Sequence, residues 1–422
     1  MRNGTLGSIC GRALLGASLL AGSLATAACS AAAEVGSDAG GGSGSDGGGG
    51  SKFGDWTVVE LIDDATDPTD TVLRQDQDLV MAIYFESPDK GFILTQGDRR
   101  SSGSGGAVFK ATGSAVTSVA YSDANSLQSP SFIGIQPTPT GYIALAAANQ
   151  IVSSVDGGNT FKLTKNGEGD QFGIEYTLAF QLSATGTTVV RDTGVVTTSD
   201  DPNPGPNTVY EDVWAPNATQ PIPETLTPDE CPNGPRGAGL PRTRNSVHVS
   251  ADRKFIAYTS NDDDFHPEVC ISTDFGHSFI AHVLDVPEDA QDFTPTGVVF
   301  TDALNGVVWF GSQTAGAYVK RTTDGGVTWK DGALPAAIAA HDLEFPAGFF
   351  APDGKHGWLA GFDHDTNVAL LITTADGGAT WTKVDGVGDA VDKAGGLRLY
   401  SVFALDATHV WLGGEGGLLM HN

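Results

Sequence analysis

The polarity of the chain changes character twice along its length. Ala13–Leu24 is an apolar stretch with Arg2 and Arg12 ahead of it, and Ser30–Ser51 is dominated by Ala, Gly, Ser and Asp. From Asp55 onward, short apolar runs rich in Val, Phe, Tyr and Trp alternate with clusters of Gly, Pro and Asp. Runs of that length, bounded by turn formers, predict β-strands. Helical periodicity is hard to find beyond the N-terminus. The expectation is an all-β body over 55–422.

Two tokens recur inside this body. The first is a turn: Ser154-Val155-Asp156-Gly157-Gly158-Asn159-Thr160-Phe161, Ser272-Thr273-Asp274-Phe275-Gly276-His277-Ser278-Phe279, Thr322-Thr323-Asp324-Gly325-Gly326-Val327-Thr328-Trp329 and Thr374-Ala375-Asp376-Gly377-Gly378-Ala379-Thr380-Trp381. An Asp here can accept hydrogen bonds from backbone N–H groups ahead of it, and glycine supplies the positive φ of a tight hairpin. Asp156, Asp274, Asp324 and Asp376 therefore read as structural. The second token is an apolar strand carrying or ending in small residues, clearest in Gly357-Trp358-Leu359-Ala360-Gly361, Val307-Val308-Trp309-Phe310-Gly311 and Val410-Trp411-Leu412-Gly413-Gly414.

Asp274, Asp324 and Asp376 follow one another at about 50-residue intervals. With decayed copies at Val108–Thr117 and Thr197–Asp200, and weaker strand tokens upstream, the count reaches seven. Repeats of this period, each a small antiparallel sheet, describe a β-propeller. The expected architecture is a seven-bladed β-propeller of four-stranded antiparallel blades. The last repeat runs out at Asn422 before any Asp turn, while Asp55-Trp56-Thr57-Val58-Val59-Glu60 resembles the strand that follows such a turn. The N-terminal strand is thus expected to complete the last blade and close the ring. Residues 202–242, rich in Pro, Asn and Gly, form an inserted loop.

Residues 1–28 read as a secretory signal: positive charge, an apolar stretch, then Ala25-Thr26-Ala27-Ala28. Cys29 directly after Ala-Ala resembles a bacterial lipoprotein cleavage site, which would put a lipid anchor on Cys29. Thr26 stands where a large aliphatic residue is usual, so simple secretion is the alternative. Residues 29–54 are expected to be a flexible tether, too polar and Gly-rich to fold. The chain would then be exported to a bacterial cell envelope, membrane-anchored or otherwise periplasmic or secreted, as a monomer. In such a compartment Cys231 and Cys270, the two cysteines of the body, are expected to form one disulfide.

The net charge of −28 carries no concentrated basic surface, which argues against nucleic acid as a partner. No phosphate-binding glycine loop, Gly-x-Ser-x-Gly elbow, Cys-x-x-Cys or paired-histidine metal spacing is present, and no cofactor or metal is expected. The acidic run Asn261–Glu268 lacks a calcium-loop pattern and reads as a solvated turn.

The Asp-Gly-Gly-x-Thr-Trp turns, each preceded by a Gly-Trp-x-x-Gly-like strand, resemble the Asp-box, or bacterial neuraminidase, repeat. In density and number they look most like the photosystem II stability and assembly factor type of propeller. That resemblance implies a non-enzymatic scaffold that binds a protein or peptide. Sialidases are more distant relatives, and their Phe/Tyr-Arg-Ile-Pro hallmark is absent.

In a propeller the innermost strands and the loops entering them form a channel rim. The candidate ligand residues there are Arg242, Arg244, Asp292, His341, Asp342, Glu344, Arg398 and Tyr400. Two chemistries are open. Carboxylates among Asp292, Asp342 and Glu344 could hydrolyse a glycoside if suitably spaced, and Arg242, Arg244 and Arg398 could grip an acidic group. No residue is assigned as catalytic. A protein- or peptide-binding rim is the leading expectation, and a glycoside hydrolase or glycan-binding propeller the alternative.

Overall fold

A computed structural model describes residues 51–53, 55–59, 61–64, 67–71, 79–96, 106–121, 132–138, 141–146, 150–165, 177–183, 186–191, 196–199, 231, 246–262, 266–286, 295–310 and 316–422. They belong to one compact unit, Gly47–Asn422. The signal, Cys29 and the insertion, save Cys231, lie outside them.

The described strands fall into seven sheets. Their innermost strands, in chain order, are Leu79–Ser87, Phe132–Thr138, Thr177–Ser183, Val247–Val249, Pro295–Phe300, Leu343–Phe350 and Leu399–Asp406. From its innermost strand each sheet meanders outward by antiparallel hairpins, and two sheets gain a parallel strand farther out, Leu61–Asp64 beside Ala115–Ser118 and Ala120–Tyr121 beside Thr160–Lys165. The sixth sheet is representative, running from Leu343–Phe350 to Gly357–Asp363, Val368–Thr374 and the two-residue Thr382–Lys383. Each innermost strand lies beside that of the next sheet, and Leu399–Asp406 of the seventh lies beside Leu79–Ser87 of the first. Antiparallel sheets stacked in this way make an all-β propeller.

The seventh sheet joins the two ends of the body. Trp56–Val59 pairs antiparallel with Leu419–His421, with Val58 opposite Met420. Ser51–Phe53 then adds beyond Trp56–Val59, with Phe53 opposite Trp56. Ser51–Phe53, expected from the sequence to be part of a flexible tether, thus form a strand. An edge strand offers free N–H and C=O groups, and even a polar segment can pair with them. A second departure from the expectation is a short helix, Val387–Lys393, ahead of the seventh sheet. Its Val387, Ala390 and Val391 are buried in the core shared by the sixth and seventh sheets.

The Asp turns are local hydrogen-bond knots between the third and fourth strands. At Asp376, one carboxylate oxygen accepts the Thr374 hydroxyl (2.8 Å) and the Thr380 N–H (2.9 Å), and the other accepts the Thr380 hydroxyl (2.7 Å). The Thr374 hydroxyl oxygen in turn accepts the Gly378 N–H at 3.0 Å. The same wiring recurs at Asp156, Asp274 and Asp324. In three of these turns the second glycine also has a packing reason. A Cβ on Gly158 would strike Phe92, on Gly326 Ile271 and on Gly378 Val307, each a residue of the preceding sheet.

Aromatic residues of the second strands reach the other way, toward the following sheet. Trp309 is fully buried, and its indole N–H donates to the Phe345 carbonyl at 2.9 Å. Trp411 stacks on Phe85 at 4.1 Å. Large rings fill the wedge between neighbouring sheets.

Candidate functional site

Antiparallel meandering sorts the connections onto two faces. The start of each innermost strand and the loop after each second strand lie at one end of a sheet; the Asp turns lie at the other. On the first face, the sixth and seventh sheets bring together His341, Asp342, Glu344, Arg398 and Tyr400 of the expected rim. Arg242, Arg244 and Asp292 fall outside the described residues.

Glu344 is the centre of this cluster. Its Oε2 lies 3.0 Å from His364 Nε2 and 3.5 Å from Arg398 Nη1. Its Oε1 is buried with no hydrogen-bond partner. The Arg398 guanidinium sits 4.8 Å over the Phe362 ring, a favourable cation–π arrangement. Arg398 is therefore committed to Glu344 and Phe362 rather than free to grip an acidic ligand alone. The Tyr400 hydroxyl donates to Glu415 Oε1 at 3.2 Å, and burial, reinforced by the Glu415 charge, pushes its pKa up to about 12.

Beside it, the loop after Gly357–Asp363 is clipped to the segment entering Leu343–Phe350. The His364 N–H donates to the Asp342 carbonyl (2.9 Å), and the Asp342 N–H donates to Asp365 Oδ2 (3.3 Å). Asp363, only 2% exposed, accepts the N–H groups of Asp365 and Thr366 on Oδ1 and faces His341 Nδ1 at 2.8 Å with Oδ2. Burial works against its charge, but hydrogen bonds from His341 and Thr366 outweigh burial and hold the carboxyl below its ordinary pKa. Asp363, His364, Asp365 and Glu415 were missed by sequence reasoning. The signal that could have found the first three is the polar run Asp363-His364-Asp365 directly after an apolar second strand.

Electrostatically the cluster is acidic. Asp342, Glu344, Asp363, Asp365 and Glu415 face one guanidinium, Arg398, and two imidazoles, His341 and His364. The Glu344 and Asp342 positions do not form an exposed carboxylate pair, because Glu344 is enclosed by His364 and Arg398.

On the opposite face, between the fourth and fifth sheets, a cavity of about 490 Å³ is lined by His248, Ser250, Asp252, Lys254, Phe255 and Phe300 among others. His248 lies 6.3 Å from Phe255 and 6.1 Å from Phe300, and desolvation pushes its pKa down to about 4. Asp252 is engaged in its own turn by the Ser250 hydroxyl and the Lys254 N–H. Near the insertion, Cys231 and Cys270 are joined by a disulfide with Cα atoms 6.2 Å apart.

Fold and site together define a β-propeller with a polar, acidic cluster on one rim. No protein-family model matches the sequence, and no curated protein matches it. Among solved structures the chain is similar to YCF48 from Cyanidioschyzon merolae, with a TM-score of 0.50, 12% identity, and coverage of 82% of this chain and 95% of that one. It is similar to YCF48 bound to D1 peptide, with a TM-score of 0.51, 13% identity, and coverage of 87% and 97%. A GH74 xyloglucanase from Xanthomonas campestris aligns at a TM-score of 0.49 and 12% identity, over 82% of this chain and 52% of that one. The fold is thus a propeller like that of YCF48.

Proposed function

We propose that this chain is a peptide-binding propeller whose rim, centred on Glu344, captures a basic segment of a partner protein. The observation that carries the reading is Glu344 Oε1, a buried acceptor without a donor. An unsatisfied buried carboxylate oxygen costs free energy, which a ligand N–H or ammonium would recover by displacing the partly exposed His364 or Arg398 side chain that encloses it. The surrounding carboxylates favour a cationic partner and steer its approach. The propeller of YCF48, bound to D1 peptide, offers the same scaffold for such a task.

The ring in this reading has seven blades and is closed. Support comes from the seven sheets, the side-by-side order of their innermost strands, and the pairing of Trp56–Val59 with Leu419–His421. We further propose export through residues 1–28 and a tether from Cys29 that holds the propeller at a membrane as a monomer. The support there is the apolar stretch, the Ala-Ala-Cys sequence and the Gly-rich run.

The test is binding of the full-length protein to an array of tiled peptides of graded charge. Enrichment of lysine- or arginine-containing peptides, weakened by salt and reduced at least tenfold by Glu344→Ala, is expected. Enrichment of acidic peptides, or turnover of a glycan panel abolished by Asp342→Ala or Glu344→Ala, would overturn the reading.

A further inference from the structure

We propose that His341, Asp363 and Asp365 form a binding site for a first-row divalent cation, with Zn²⁺ the best match. The proposal rests on geometry at the edge of the rim and does not depend on peptide capture.

One ligand atom from each of the three residues lies within 4.8 Å of the other two. Zinc holds imidazole nitrogen and carboxylate oxygen at about 2.0–2.2 Å in a tetrahedral shell, so donor atoms around one ion stand about 3.3–3.6 Å apart by that geometry. The spread here needs only small side-chain movements to reach it. The His341 Nδ1 to Asp363 Oδ2 separation of 2.8 Å is that of a hydrogen bond, which an ion would replace as the two atoms part by about half an ångström.

The three groups come from two loops whose backbones are tied together. The Asp363 carboxylate is oriented by two N–H groups on Oδ1, which leaves Oδ2 directed at His341. Asp365 is held by the Asp342 N–H, and the Asp342 carbonyl by the His364 N–H. Ligands held by such partners lose little freedom when an ion binds, the role that outer contacts play around metal centres.

Charge points the same way. Asp363 is 2% exposed, yet the basic group paired with it is an imidazole rather than a guanidinium or ammonium. A buried carboxylate calls for a compensating charge. The nearby cationic and imidazole groups, Arg398 and His364, are spent on Glu344, and Asp342 and Asp365 add further negative charge. One nitrogen with two carboxylate oxygens favours zinc or manganese over the all-oxygen shells of calcium and magnesium. His341 and Asp365 are accessible, so a fourth position faces solvent and can hold water or a ligand group.

The other cluster of metal-ligating type among the described residues, Cys231, Glu268 and Cys270, has its sulfurs consumed by the disulfide. The exposed pairs His356–Asp353 and His409–Asp406 join an imidazole and a carboxylate on a single loop and lack a third ligand. They serve as internal controls.

The experiment is equilibrium dialysis of full-length, metal-stripped protein against ZnCl₂, with metal counted by mass spectrometry, alongside His341→Ala, Asp365→Asn and His409→Ala. Expected is one zinc lost at least tenfold in affinity in both His341→Ala and Asp365→Asn and retained in His409→Ala. Asp365 is exposed, so Asp365→Asn should fold normally, which circular dichroism checks. Zinc bound equally by all four proteins, zinc loss shared by His409→Ala, or displacement of zinc by equimolar calcium would each overturn the site. Peptide binding is not read in this assay, so its outcome and that of the peptide array are separable.

Discussion

The Ser401 hydroxyl donates a buried hydrogen bond of 2.7 Å to the carbonyl of Val80, a residue 321 positions earlier. Ser401 lies on the innermost strand of the seventh sheet and Val80 on that of the first. Gly413 sits over the same contact, and a Cβ there would strike both Val80 and Ser401. Ser401→Ala removes this buried hydrogen bond, with an expected loss of about 0.5–1.5 kcal/mol. Gly413→Ala should cost more than Ser401→Ala, because overpacking adds to the lost bond. Urea denaturation followed by tryptophan fluorescence compares them.

The two glycines of the Asp376 turn should differ in their sensitivity. Both have positive φ, 70° at Gly377 and 85° at Gly378. A Cβ on Gly377 would sit 3.3 Å from the Gly354 carbonyl oxygen, whereas one on Gly378 would sit 2.7 Å from Val307 Cγ2. Gly377→Ala is expected to cost about 1–2 kcal/mol for the left-handed backbone alone. Gly378→Ala is expected to cost about 2–5 kcal/mol because overpacking is added. Equal losses in thermal melts would rule out contact with the preceding sheet as the cause.

Phe275 occupies the first-glycine position of the Asp274 turn at φ 66° and is 37% exposed. A bulky side chain in that region is strained by about 1–2 kcal/mol. Its one ring contact of note is the Arg253 guanidinium at 5.9 Å, a pairing of about 0.5 kcal/mol at a surface. Phe275→Gly should therefore raise stability by about 0.5–1.5 kcal/mol, visible as a higher melting temperature. A lower one would mean that the Arg253 contact outweighs the strain.

Stability should fall in two stages on acidification. His248 has a folded pKa of about 4 against 6.5 unperturbed, so the unfolded chain binds its proton first. Stability is then full above about pH 6.5 and declines toward pH 4. Asp324 and Asp376 have folded pKa values of about 2, lowered for Asp324 by hydrogen bonds from Thr328 and Thr322, and for Asp376 by bonds from Thr380 and Thr374 that overcome burial. Their contribution is present above the ordinary carboxylate pKa near 3.8 and is lost as pH falls toward 2. His248→Leu should flatten the first stage and leave the second. Melting temperatures across pH 8 to pH 2 read both.

Much of the fold was legible because its signals are short-ranged. Asp376 captures Thr374 and Thr380, two and four residues away, so the turn is complete within one heptad of sequence. The second-strand token was legible for a related reason: buried strands must be apolar and ring-filled wherever they stand in the circle. The strand at Ser51–Phe53 was not, since Ser-Lys-Phe has no pattern of its own and pairs because an edge at Trp56–Val59 is there to receive it. The rim was half legible. Glu344, Arg398 and Tyr400 could be placed from their position at strand starts, but Asp363 and Asp365 matter through His341, over 20 residues away across a hairpin.

By itself, then, the sequence determined where the chain turns and what repeats, because Asp–hydroxyl–glycine knots and apolar strands are specified by residues within hydrogen-bond reach along the chain. Only the tertiary structure decided which polar groups share a site. Glu344 meets Arg398 across 54 positions, and Gly378 meets Val307 across 71. Such contacts follow from how one sheet is stacked against the next, and no local pattern of residues carries that information.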